Sequence, residues 1–193
     1  MKSLDEYLAD AAQAHGHLCA GQVLGVRMAM LGVQKLGIDD PRGKDRKRLV
    51  TFVEIDRCAT DAIAVVTGCR LGKRALKFKD WGKMAATFVD IENARSVRVA
   101  ARESSKALAR GMHPEIEDKN QQQMLAYREM RDDDLFDVQW VNVELPPEEM
   151  PGYKGERIVC ARCGEGINFR REVQRAGETL CRACAGERYW EPV

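Results

Sequence analysis

The sequence has no surplus of charge of either sign. Lys and Arg number 31 against 30 Asp and Glu, a formal net charge of +1 over 193 residues. Nothing electrostatic therefore argues for a nonspecific grip on nucleic acid or on an anionic membrane. Long apolar runs are missing too. The start, Met1-Lys2-Ser3-Leu4-Asp5-Glu6, lacks the hydrophobic stretch of a secretory signal. No window approaches the roughly eighteen uninterrupted apolar residues of a membrane-spanning helix. Internal repeats and low-complexity tracts are also absent. These absences set the expectation of a cytoplasmic protein that does not associate with membranes. What is present is enough chain for one sizeable domain and a small appendage, with 45% hydrophobic residues to fill a core.

Periodicity predicts helices over 3–14, where Leu4, Leu8, Ala11 and Ala12 recur at helical spacing, and over 21–36, closed by Gly37. A charged loop with Pro41 and Gly43 follows at 38–48. Strands are expected at 49–55, 74–79, 84–90, 95–101 and 135–144, with the second and third joined by a turn at Asp80-Trp81-Gly82. Helices are expected at 59–67, 103–110 and 114–131. Short links between strands favour antiparallel pairing, so the pattern reads as α+β: a mostly antiparallel sheet with flanking helices. The run Pro146-Pro147-Glu148-Glu149-Met150-Pro151-Gly152 breaks every regular pattern and marks a boundary between a core domain at 1–150 and a second domain at 151–193.

Seven cysteines carry the chemistry. In a chain kept in the cytoplasm they point to metal or redox roles before disulfides. Cys160-Ala161-Arg162-Cys163 and Cys181-Arg182-Ala183-Cys184 are two C-x-x-C pairs seventeen residues apart. Each pair can aim two sulfurs at one ion from a tight turn, and together they give the four-thiolate shell that zinc prefers. Iron–sulfur ligation and paired redox dithiols are the competing readings, and the compact spacing favours Zn²⁺. Residues 154–193 hold eight basic and six acidic side chains. Four thiolates and one dication offset that small excess, so the knuckle has no footprint for nucleic acid.

The second group lies in the core. His15, His17 and Cys19 alternate along a short segment, and alternation in an extended chain points side chains the same way. Cys19 directly precedes the helix predicted at 21, whose positive end would lower a thiol pKa. Cys58 and Cys69 flank the 59–67 helix, with Asp61 in its first turn. Two readings stay open for these residues: a second metal or thiolate site, or buried small hydrophobes beside loop histidines.

The stretch from Cys160 through Ala185 resembles the zinc fingers of the DksA/TraR family, in which the second pair opens a helix, here expected over 182–190. The core resembles the FmdE family, named for the E component encoded with molybdenum formylmethanofuran dehydrogenase. That resemblance rests on three blocks: His15-Gly16-His17-Leu18-Cys19-Ala20-Gly21 with Leu24-Gly25-Val26-Arg27-Met28; Asp56-Arg57-Cys58-Ala59-Thr60-Asp61-Ala62-Ile63 with Thr67-Gly68-Cys69-Arg70-Leu71-Gly72-Lys73; and Lys79-Asp80-Trp81-Gly82-Lys83-Met84-Ala85. Ala20 stands where many relatives carry proline. The resemblance implies an α+β core, a zinc-bearing tail of treble-clef or zinc-ribbon type, and homodimers. It also implies a cleft lined by His17, Cys19, Cys58 and Cys69, with His15, Asp61 and Lys73 nearby.

Three functions follow as expectations. The first is an accessory or metal-handling protein for a molybdenum- or tungsten-dependent oxidoreductase, with a second metal or a related cofactor in the core and that oxidoreductase as partner. The second is an enzyme with Cys19 as nucleophile or redox thiolate and His17 as base. The third, disfavoured by the charge balance, is a zinc-finger regulator of nucleic acid or RNA polymerase. Whether the chain catalyses a reaction is left open by its residues.

Overall fold

The computed structural model describes residues 1–193, and the chain divides into two compact units, Met1–Val143 and Glu144–Val193. The irregular 146–152 stretch falls at the start of the second. Helix α1 (Leu4–His15) begins at a capping box: Ser3 Oγ accepts from the Glu6 N–H, while the Ser3 N–H donates to Glu6 Oε2 at 2.8 Å. Gly16 ends the helix in the left-handed region at φ 96°. That reversal delivers the His15–Cys19 segment to the start of α2 (Ala20–Lys35).

Helix α2 is the centre of the first unit. Val23, Val26, Met28, Ala29 and Val33 are fully buried on it. It lies between α1, the ten-residue α3 (Cys58–Thr67) and the sheet. Its glycines set how close those neighbours come. A Cβ on Gly25 would collide with the Ala59 backbone and the Ala62 methyl, and a Cβ on Gly32 would collide with the Phe88 ring. A Cβ on Gly21 would sit 3.2 Å from Cys58 Cβ. Small residues on both helices therefore bring the start of α2 against the start of α3.

The sheet contains β1 (Leu49–Val53), β2 (Leu76–Phe78), β3 (Ala85–Asp90), β4 (Arg95–Ala101) and β5 (Phe136–Val141), in the order β2-β1-β3-β4-β5. Three of its pairings are antiparallel; β1 and β2 run parallel, joined through α3. The class is α+β, as the pattern predicts. One detail departs from the sequence reading: β2 and β3 follow each other closely in the chain, yet β1 lies between them. The 79–84 link crosses the end of β1, where Lys83 and Trp81 donate backbone N–H bonds to the Glu54 carbonyl. Short helices α4 (Ser105–Met112), α5 (Lys119–Glu129) and α6 (Asp132–Leu135) fill the span before β5. Val53, Ala86, Phe88, Val97 and Val99 face the helices. On the other face Phe52, Thr87, Arg98 and Gln139 align across four strands. There Arg98 donates twice to Glu54, both bonds 2.7 Å.

The second unit holds two small hairpins: β6 (Ile158–Val159) with β7 (Gly166–Ile167), and β8 (Val173–Arg175) with β9 (Glu178–Leu180). Its buried core is only Cys160, Ile167 and Leu180. A unit so poor in apolar burial needs a cross-link of another kind. The helix expected over 182–190 is a single turn, Ala183–Glu187, because Gly186 takes φ 112° and breaks it.

Candidate metal centres

Each C-x-x-C pair of the second unit lies just after a strand. Cys160 follows β6, and the Gly164 N–H donates back to its carbonyl at 3.0 Å, with Gly164 at φ 73°. Cys181 follows β9. The four sulfurs of Cys160, Cys163, Cys181 and Cys184 all lie within 4.8 Å of one another, and Cys163 Sγ is 3.8 Å from Cys181 Sγ. A tetrahedron with Zn–S bonds of about 2.3 Å has edges of about 3.8 Å, so the donor set fits zinc. Backbone amides prepare the sulfurs for negative charge: the Cys181 N–H donates to Cys160 Sγ at 3.2 Å and the Cys184 N–H to Cys181 Sγ at 3.4 Å. Amide donation from Cys163, then Cys181, lowers the Cys160 thiol to about 6. The Cys181 sulfur, followed by burial, pushes Cys184 up to about 12. Crowded sulfurs resist carrying several charges together, and a dication relieves that repulsion.

In the first unit, donor atoms of His15, His17 and Cys19 also lie within 4.8 Å of one another. The imidazole rings of His15 and His17 sit 4.8 Å apart, centroid to centroid. His15 Nδ1 is 2.8 Å from Asp61 Oδ2 on α3. A carboxylate accepts only, so Nδ1 is the donor, and in the neutral ring Nε2 then keeps the lone pair a metal needs. Cys19 is the N-cap residue of α2, in extended conformation, and its side chain makes no cap bond. Cys58 lies nearby, on the other side of Gly21, and its thiol is raised first by burial and then by Cys19. Nitrogen, nitrogen and sulfur from one chain is a donor set that suits zinc and later first-row metals.

Four findings place the molecule among known proteins. Residues 14–137 match the family model "FmdE, Molybdenum formylmethanofuran dehydrogenase operon". Residues 153–189 match the prokaryotic dksA/traR C4-type zinc finger. The chain belongs to the FmdE family. A relative from Archaeoglobus fulgidus, named as a probable S-adenosyl-L-methionine-binding protein, is 30% identical over 96% of this chain. The match spans 54% of that relative, so the chain covers about half its length. A tungsten formylmethanofuran dehydrogenase FmdE-like protein from Syntrophus aciditrophicus shares the fold, with a TM-score of 0.66 at 22% identity, covering 98% of this chain and 96% of that one.

The FmdE motif residues fall into two groups in space. His15, His17, Cys19, Cys58 and Asp61 gather where α1, α2 and the start of α3 meet. Cys69 lies at the other end of α3, about 15 Å along a ten-residue helix. There its thiol bonds to Thr51 Oγ1 and the Leu49 carbonyl on β1, both at 3.5 Å, and burial raises its pKa. Lys73 is exposed and stays with Cys69, on whose thiol its charge acts. Arg27 of the first FmdE block works at a distance from the cluster. It donates to the carbonyls of Tyr127 and Met130 and to Asp132, fixing the end of α5. Asn120 of α5 in turn accepts from the Ala20 N–H at 3.1 Å beside Cys19. No spacing in the sequence marks Asn120, because its role comes from packing across a hundred residues.

Proposed function

We propose that the His15–His17–Cys19 cluster is a metal site, and that this zinc-finger FmdE protein handles a metal or sulfur-bearing cofactor for a molybdenum- or tungsten-dependent oxidoreductase. The observation that carries the reading is the Asp61 carboxylate on His15 Nδ1. A carboxylate–histidine pair fixes the tautomer and raises ligand basicity, the usual support behind a ligating imidazole. The family description supplies the oxidoreductase, and a soft, partly exposed donor set matches the transfer of a thiophilic metal better than its permanent burial. The partner called for is the oxidoreductase itself, met by homodimers of this chain.

A second reading draws on Cys58 beside Cys19: a thiolate enzyme with Cys19 as nucleophile and His17 as base. Metal content separates the two. Protein purified without oxygen is expected to hold two metal ions per chain by elemental analysis, and the His17→Ala/Cys19→Ala variant one. One ion per chain in both proteins would overturn the metal reading and leave the thiolate reading standing.

A further inference from the structure

A cavity of about 630 Å³ opens between α1, the 38–48 loop, α3 and the Leu71–Lys73 turn. Its size is that of a small-molecule site. Its walls combine charge with apolar surface: Lys2, Asp10, Arg42, Asp61 and Arg70, interleaved with Val65, Leu71 and Leu76. The acidic walls are already occupied. Asp10 accepts from Lys2 at 2.6 Å, and Asp61 is bonded to His15. Neither guanidinium group is saturated. The Arg42 head reaches only Asp10, at 3.5 Å, an oxygen that Lys2 already holds. Arg70, exposed at the rim, takes part in no side-chain hydrogen bond or ion pair.

Arg42 is nonetheless held in place. Gly68 ends α3 at φ 69°, and a Cβ there would meet Arg42 Cγ at 3.3 Å, so the arginine stem lies on bare backbone. Its loop is fixed from behind: Arg48 binds Asp45 at 3.0 Å and the fully buried Asp90 at 2.7 Å, while Asp45 accepts from the Asp40 N–H. A positioned stem whose head makes one long bond to Asp10, beside the unpartnered Arg70 guanidinium, is an arrangement suited to an anion. Leu71, 65% exposed, and Val65 offer the same ligand an apolar surface.

We propose that this cavity binds a small amphipathic organic anion, its phosphate or carboxylate on Arg42 and Arg70 and its apolar body along Val65, Leu71 and Leu76. Asp61, the residue bonded to His15 in the cluster, also lines the cavity, so a ligand filling it reaches the flank of the metal site. That the anion is the compound processed at the cluster rests on the metal reading; its binding to the arginines does not.

The test uses the full chain and the fluorescent anion 8-anilinonaphthalene-1-sulfonate. Wild type is expected to give saturable enhancement, weakened about tenfold or more in both Arg42→Glu/Arg70→Glu and Leu71→Asp, with unchanged far-ultraviolet circular dichroism. The His17→Ala/Cys19→Ala variant is expected to bind the probe as wild type does, so failure of the anion site and failure of the metal site show in different proteins. Displacement by phenyl phosphate but not benzoate assigns a phosphate ligand, and the reverse a carboxylate; displacement by both supports the shared anion chemistry. Binding that survives both variants, that is lost instead in Trp81→Ala, or that neither competitor displaces would overturn the proposal.

Discussion

Proton loading differs sharply among the finger cysteines. Cys160, receiving several backbone N–H bonds, ionises at about 6, whereas Cys184, crowded by Cys181, holds its proton to about 12. Zinc must displace the protons that remain, and each displacement becomes easier as pH rises. Zinc affinity, measured by competition with a chromophoric chelator, is therefore expected to climb between pH 6 and pH 8, because Cys184 is still a thiol across that range. A flat profile would contradict it. The identity of these four ligands was legible in the sequence because the spacing alone brings each pair together. The His15–Asp61 bond was not, since it joins the end of one helix to the first turn of another 46 residues away.

Glycine on α2 is how one element controls the site. Gly25 lies against the Ala59 backbone and the Ala62 methyl, neither of which can swing aside as a long side chain would. Gly25→Ala is expected to force α2 from α3 and destabilise the protein by about 1–3 kcal/mol, read as a shift of the denaturant midpoint. Gly111 in α4 gives the opposite sign. No atom lies within 4 Å of its added Cβ, so Gly111→Ala should gain up to about 1 kcal/mol of helix propensity. Equal effects at the two positions would contradict the close-approach account. The helices α1, α2 and α3 were readable from periodicity to within a residue at each end, whereas α5 begins at Lys119 behind its Asp118 cap, well after the start expected at Pro114. The neighbours of β2 were not, because chain proximity suggests a hairpin with β3 while the crossover through α3 carries β2 to the far side of β1.

At the scale of the whole molecule there are two units with different needs. The second buries only Cys160, Ile167 and Leu180 and is expected to lose its fold when a chelator removes the metal. The first has a full apolar core and carries a partly exposed cluster at the meeting of three helices. No helix is long and apolar enough to cross a membrane. FmdE membership and the finger were both readable as motifs. Which motif residues meet was not: α3 carries Cys58 and Asp61 to one end and leaves Cys69 at the other, which only the folded helix shows. The central claim is that the first unit holds a metal of its own. Anomalous diffraction from crystals of anaerobically purified protein, recorded above the absorption edge of each metal found by X-ray fluorescence, locates every ion directly. The account predicts two peaks per chain, one among Cys160, Cys163, Cys181 and Cys184 and one between His15, His17 and Cys19. A peak in the finger alone would contradict it.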